Sequence, residues 1–125
     1  MIEAIAYFNI SGEKFSPRAA EKLSGINFTE KNEPGDIANF GRYKGEMRPF
    51  GSASIVIRGG NVDVLMKLLE IIEGKIQEFK SQGADYLVIH LAINYKTQCN
   101  LEFSPAEIKK ISDLGIPFTI SCVNF

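Results

Sequence analysis

The chain has 125 residues, 45% of them hydrophobic and 23% charged, with a formal net charge of -1 and a pI near 5.8. That is enough chain to bury one core, and it reads as a single domain over residues 1–125, far from the polar, highly charged regime of disorder. So balanced a charge supplies no broad basic footprint for nucleic acid, and no apolar run reaches membrane-spanning length.

Ile2, Ala4, Ala6, Phe8 and Ile10 fall on one face of an extended segment, and Ile5 and Tyr7 keep the other face partly apolar. Such a strand is central or covered. A turn at Ser11-Gly12-Glu13-Lys14 leads to Phe15, placed to act as a hydrophobic staple, and then to Ser16-Pro17. Serine as N-cap and proline at the first helical position predict a short helix that stops at Gly25.

Residues 29–51 show no sustained period, and loops of this length are uncommon in compact domains unless they bind something or are disordered. Phe40, Tyr43, Met47 and Phe50 are interleaved here with Arg42, Lys44 and Arg48, a composition closer to a protein interface than to a solvated linker. We expect a binding loop whose contacts are Phe40, Arg42, Tyr43, Glu46, Arg48 and Phe50. The plainer alternative is that these rings cover the end of a sheet or form an extra edge pair, with Gly41 and Gly45 as turns.

Residues 52–58 alternate as a half-buried strand, and Gly59-Gly60-Asn61 breaks the chain. Val62, Leu65, Leu69, Ile72, Ile76 and Phe79 then recur every three or four residues, predicting one amphipathic helix of about 20 residues and ~30 Å. Gly74 weakens its middle and Gly83 suits its end. Residues 86–95 form the second long strand, 96–100 a turn, and 101–103 a short returning strand. Ser104 and Glu107 have capping-box spacing around Pro105, Gly115 ends that helix, and 118–123 alternate as the last strand.

Two stretches match. Phe15-Ser16-Pro17, Gly25-Ile26 and Phe28-Thr29 return as Phe103-Ser104-Pro105, Gly115-Ile116 and Phe118-Thr119. The predicted fold is therefore α+β, with a single mixed sheet of about four main strands and three helices. It is arranged as a ferredoxin-like pseudo-repeat, strand-helix-strand twice, with the long helix as an extra element between the halves.

Catalytic constellations are scarce. His90 is the sole histidine and sits mid-strand among apolar neighbours. Cys99 and Cys122 lack zinc-site spacing and read as reduced thiols, Gly59-Gly60 lacks the rest of a phosphate loop, and Glu30, Glu33 and Asp36 do not follow calcium-loop spacing. The expectation is no catalytic set, no metal, no cofactor and no enzyme. Met1-Ile2-Glu3 opens a strand-like alternation where a signal peptide would be basic and then apolar, so a cytoplasmic location is expected.

Tyr7-Phe8-Asn9-Ile10-Ser11-Gly12 before Phe15-Ser16-Pro17, the stop Leu23-Ser24-Gly25-Ile26, Pro34-Gly35-Asp36, Asp63 at the long helix and Leu114-Gly115-Ile116 before the last strand stand together over nearly the whole chain. In these marks the chain resembles a widespread bacterial family of small proteins that carries only a domain-of-unknown-function label. It departs from that pattern in having Ser52-Ala53-Ser54 where the family usually shows a tryptophan near the second main strand.

The resemblance implies an immunity protein that binds and neutralises a cognate bacterial toxin domain of the contact-dependent inhibition or polymorphic-toxin type. The partner is then a protein, with no nucleic acid and no membrane involved, and the chain is a monomer or weak dimer. The alternative is a small-molecule-sensing regulatory module that takes an amino acid or nucleotide in a crevice between halves or across a dimer. A third reading is a hydrolase or transferase using His90 with Glu or Asp.

Overall fold

The computed structural model describes residues 2–124. In chain order the elements are β1 (Ile2–Gly12), α1 (Pro17–Ser24), β2 (Glu30–Asn32), β3 (Gly51–Gly59), α2 (Asp63–Ile72), α3 (Ile76–Ser81), β4 (Tyr86–Tyr95), α4 (Pro105–Leu114) and β5 (Phe118–Asn124). The strands form one mixed sheet in the order β2-β3-β1-β4-β5. At one edge β2 runs antiparallel to β3, with Lys31 opposite Ala53; at the other β5 runs parallel to β4, with Ile120 opposite Leu91. The chain is thus α+β, as the pattern of elements predicts.

Three details differ from the sequence reading. The sheet has five strands because the short β2 is added at its edge. The long helix is two helices, since Glu73 is extended (φ -57°, ψ 127°) and Gly74 takes a left-handed φ of 76°. One glycine inside an apolar stripe costs only about 1 kcal/mol as a helical residue, so the stripe alone does not disclose the break. Residues 101–103 form no strand.

The strand order also departs from a ferredoxin-like sheet, in which the two strand-helix-strand units are split by each other's strands. Here β4 and β5, the strands flanking α4, are direct neighbours, as are β1 and β3, which flank α1 and β2. The repeat survives as two unsplit units. Both capped helices form as their sequences dictate: Ser16 accepts from the Ala19 N–H, Ser104 and Glu107 complete a capping box, and Gly25 and Gly115 end the helices in left-handed conformation.

The described residues divide into two compact units. In the unit of residues 2–8, 56–74 and 88–124, the core comprises Ala4, Ala6 and Phe8 of β1, Ile89, Leu91 and Ile93 of β4, and the stripe Leu65, Leu68, Leu69 and Ile72 of α2. Lys110 of α4 pairs with Glu73 just past α2 at 3.1 Å. In the unit of residues 9–55 and 75–87, Phe28 joins Phe15 (centroids 6.5 Å apart, edge to face) and Phe79 of α3 (5.9 Å). These three rings lie where the chain leaves α1 for the irregular stretch, and they fix its starting point.

Candidate functional site

After β2 the chain folds into a tongue. The Gly35 N–H donates to the Arg48 carbonyl and the Arg48 N–H to the Asp36 carbonyl, both at 2.8 Å; the Ala38 N–H donates to the Glu46 carbonyl at 3.0 Å, and the Gly45 N–H to the Ala38 carbonyl at 2.8 Å. These bonds lay residues 35–38 alongside 45–48 and make Ile37 and Met47 antiparallel bridge partners. Gly41 and Gly45, each at φ 81°, turn the chain at the tip, which no residue with a side chain does cheaply. The alternative of an extra edge pair turning at these glycines therefore describes part of the backbone, through β2 and the bridges.

The base of the tongue is anchored to α1. Glu33 Oε1 accepts from the Ser16 hydroxyl at 3.2 Å and from the Arg18 N–H at 2.9 Å. A carboxylate at the positive end of a helix is stabilised by the dipole and satisfies an otherwise orphaned donor. Asp36 Oδ2 accepts from the Glu33 N–H at 3.0 Å and closes the Pro34-Gly35 turn. Ala38, buried at 2% exposure, is the one small apolar anchor within the tongue itself.

Beyond that anchor the tongue turns its apolar side chains outward. Phe40 is 63% exposed, Ile37 59% and Met47 66%. Single exposed apolar residues are ordinary on protein surfaces, but three on one short, hydrogen-bonded projection make a patch. Arg48 lies 5.8 Å from the Phe40 ring centroid and Arg42 5.7 Å from that of Tyr43, both within cation–π range. Tyr43 and Phe50 meet edge to face at 6.1 Å and are half-buried, while Arg42 and Glu46 are exposed.

The six expected contact residues thus separate into two roles. Phe40, Arg42 and Glu46 face solvent, whereas Tyr43, Arg48 and Phe50 are half-buried supports for the tip. Ile37 and Met47, both exposed, stand outside that set, Met47 being one of the interleaved apolar residues. Their signal is two unpaired apolar residues flanking a segment with glycines at 41 and 45, a hairpin pattern too short to read as strands.

In the same unit, β1, β2 and β3 line an open groove of about 320 Å³ with Asn9, Ser11, Glu30, Asn32, Ser52 and Ser54, and Tyr86 and Phe50 contribute rings. Asn32 donates to the Ser52 hydroxyl at 3.3 Å. Glu30 is the sole charged residue in the lining, which contains no Lys or Arg. Such a surface offers hydrogen bonds to a neutral polar molecule, and no counter-charge to a phosphate or carboxylate. These residues come from distant parts of the chain, so sequence spacing does not reveal them.

His90, in the other unit, lies on a strand face with its Nδ1 2.6 Å from the Thr119 hydroxyl, its Nε2 3.0 Å from the Ser121 hydroxyl and its ring 6.0 Å from that of Tyr7. Its ring nitrogens meet hydroxyls, where the hydrolase reading needs an orienting Asp or Glu. Burial pushes the Cys99 thiol up from its ordinary value, and the adjacent Cys122 adds to this through a hydrogen bond and its charge. A raised thiol pKa means less of the nucleophilic thiolate at neutral pH. Among the described residues no group of three or more His, Cys, Asp or Glu is placed to hold a metal, and no helix is long and apolar enough to cross a membrane.

Comparison with protein-family models, with curated proteins and with solved structures finds no match to this chain.

Proposed function

We propose that this protein is a cytoplasmic immunity protein that neutralises a cognate bacterial toxin domain by direct binding and does no chemistry of its own. The observation that carries the reading is the tongue. It is ordered by backbone hydrogen bonds, anchored by Glu33 on α1, and it presents Ile37, Phe40 and Met47 to solvent beside Arg42 and Glu46.

A pre-ordered apolar tip is suited to recognising a protein surface, because little conformational entropy remains to be lost on binding. Aromatic and arginine anchors supply most of the affinity in such contacts, while charges at the rim set the rate and choice of partner. Glu46 and Arg42 fill the second role. Near relatives that differ at these positions would then favour different toxins.

The test is to look for a neighbouring reading frame that encodes a toxin domain, then pull-down of that domain and rescue of a strain that expresses it. Phe40→Ala should weaken binding by about 30-fold, the equivalent of a 2 kcal/mol anchor, with the fold unchanged by circular dichroism. Absence of both association and rescue would end the reading.

The groove favours a second reading, the small-molecule-sensing module, and it narrows the ligand. Without a basic side chain in the lining, a neutral polyhydroxylated or amide-bearing metabolite suits it better than an amino acid or nucleotide. A saturating ligand should raise stability by about 2.7 kcal/mol at a hundredfold excess over Kd. A flat thermal-shift screen of neutral sugars and amides would remove it.

A further inference from the structure

The two edges of the sheet are built differently. β2 is three residues long, Glu30-Lys31-Asn32, and carries a charge at two of them. Short, charged edges are how soluble proteins prevent strand-to-strand pairing. β5 is seven residues long, Phe118-Thr119-Ile120-Ser121-Cys122-Val123-Asn124, and has no charge and no proline. It pairs with β4 in unbroken register from Phe118 to Asn124 and ends the strand order, so among the described residues no strand lies beside its outer backbone donors and acceptors.

Burial points the same way. No residue of β5 is buried on either face; Ile120 is 43% and Val123 54% exposed. The helix that crosses from β4 to β5 is equally bare. α4 has a capping box at one end and a left-handed glycine at the other, yet it buries none of its residues and leaves Ile108 56% exposed. Its contacts include α2 and the Lys110–Glu73 pair. This helix and strand are well specified by local sequence and poorly covered.

We propose that β5 is the homodimer interface of this protein, pairing antiparallel with β5 of a second copy across a two-fold axis. An open strand edge requires another strand, and two observations select a copy of itself. The first is charge: a charge close to a two-fold axis meets its own copy, and β5, unlike the other edge strand β2, carries none at any position, so no register of self-pairing sets like charges together. The second is exposed apolar surface: Ile120 and Val123 of β5 and Ile108 of the neighbouring α4 are all more than two-fifths exposed, and a second copy would cover them. The alternation keeps Thr119 and Ser121 on the His90 side, so their hydroxyls would continue as a row across the joined sheet. This surface and the tongue lie in different units, and the proposal stands apart from the toxin reading.

The experiment is sedimentation equilibrium of the full chain over about 5–500 μM, the range expected of a small, strand-mediated interface. The expected result is a monomer–dimer equilibrium, with the β5 amides gaining protection from deuterium exchange as concentration rises. Ile120→Lys places like charges near the axis and should weaken the dimer at least tenfold; mixing it with Ile120→Glu should restore a heterodimer. If circular dichroism shows that Ile120→Lys does not fold, Val123→Lys with Val123→Glu repeats the test at a more exposed position. A wild-type chain that stays monomeric throughout, or a dimer that the lysine variants leave intact, overturns the proposal.

Discussion

Replacing Phe28 tests how the tongue is held, because this residue joins the end of α1 to the start of β2. It is 7% exposed, touches Phe15 on one side and Phe79 of α3 on the other, and donates its N–H to Glu21 Oε2 at 2.9 Å. Phe28→Ala removes a buried ring from a site whose walls are two other rings, and cores of this kind lose about 3–5 kcal/mol. Phe28→Leu keeps most of the apolar burial and loses two aromatic contacts worth about 0.5–1.5 kcal/mol each, so about 1–3 kcal/mol is expected. Urea unfolding reads both. With a slope near 2 kcal/mol per molar, Phe28→Ala should move the midpoint by about 2 M and Phe28→Leu by about half as much. A marginal domain holds only about 5–15 kcal/mol in all, so the alanine variant should also express poorly. Equal losses in the two variants, or a loss below 1 kcal/mol in alanine, would refute the three-ring account.

Glu21 gives a prediction in pH. The Lys31 ammonium at 2.6 Å and then the Phe28 N–H hold its carboxyl below the ordinary 4.5, against the opposing effect of burial. A depressed carboxyl contributes stability that is present above pH 4.5 and lost as pH falls through the folded value. Glu21→Gln should therefore cost about 1–2 kcal/mol at pH 7, the ion pair being discounted because Lys31 is half exposed, and almost nothing near pH 2. Unfolding curves at the two pH values compare the losses, and a pH-independent difference would contradict the assignment. Gly51→Ala should destabilise by more than about 2 kcal/mol in thermal unfolding, since a Cβ there would overlap the Phe15 carbonyl oxygen in the backbone, which has no rotamer to change. For the thiols, Cys122→Ser should lower the pH midpoint of Cys99 alkylation by iodoacetamide only part of the way to the ordinary 9.0, because burial, the larger cause, stays. An unchanged midpoint would show that Cys122 does not act on Cys99.

Much of this scaffold is written in local sequence. Ser16-Pro17 with Gly25 and Ser104-Pro105 with Gly115 specify both capped helices, because caps are chemistry between residues three or four apart. The burial of Ala4, Ala6, Phe8 and Ile10 follows equally directly from a period of two. Gly74 was harder to read. The apolar stripe runs on through Ile76 and Phe79 in phase with Leu65 and Leu69, so the hydrophobic pattern is the same for one helix and for two, and only the backbone discloses the break.

Strand order failed for a related reason. The matched segments fix strand, helix and return, but splitting the units or keeping them whole depends on contacts between distant residues. At the candidate site, composition marks the irregular stretch and names six contacts, of which Phe40, Arg42 and Glu46 lie exposed and Tyr43, Arg48 and Phe50 half-buried. It passed over the Ile37–Met47 pair, which exists only through a backbone bridge between residues ten apart.

Glu33 has a consequence for how this surface changes over time. Its carboxylate, the turn at Asp36 and buried Ala38 secure the projection from below, and the side chains of Ile37, Phe40 and Met47 are left with almost no duty toward folding. If the tongue binds a toxin as proposed, substitutions at those three positions would reach a new target at little risk of a chain that no longer folds. A single mutation at position 33 would then threaten every target at once. An arms race fought on this protein would therefore leave its record at the tip, above an unvarying foot.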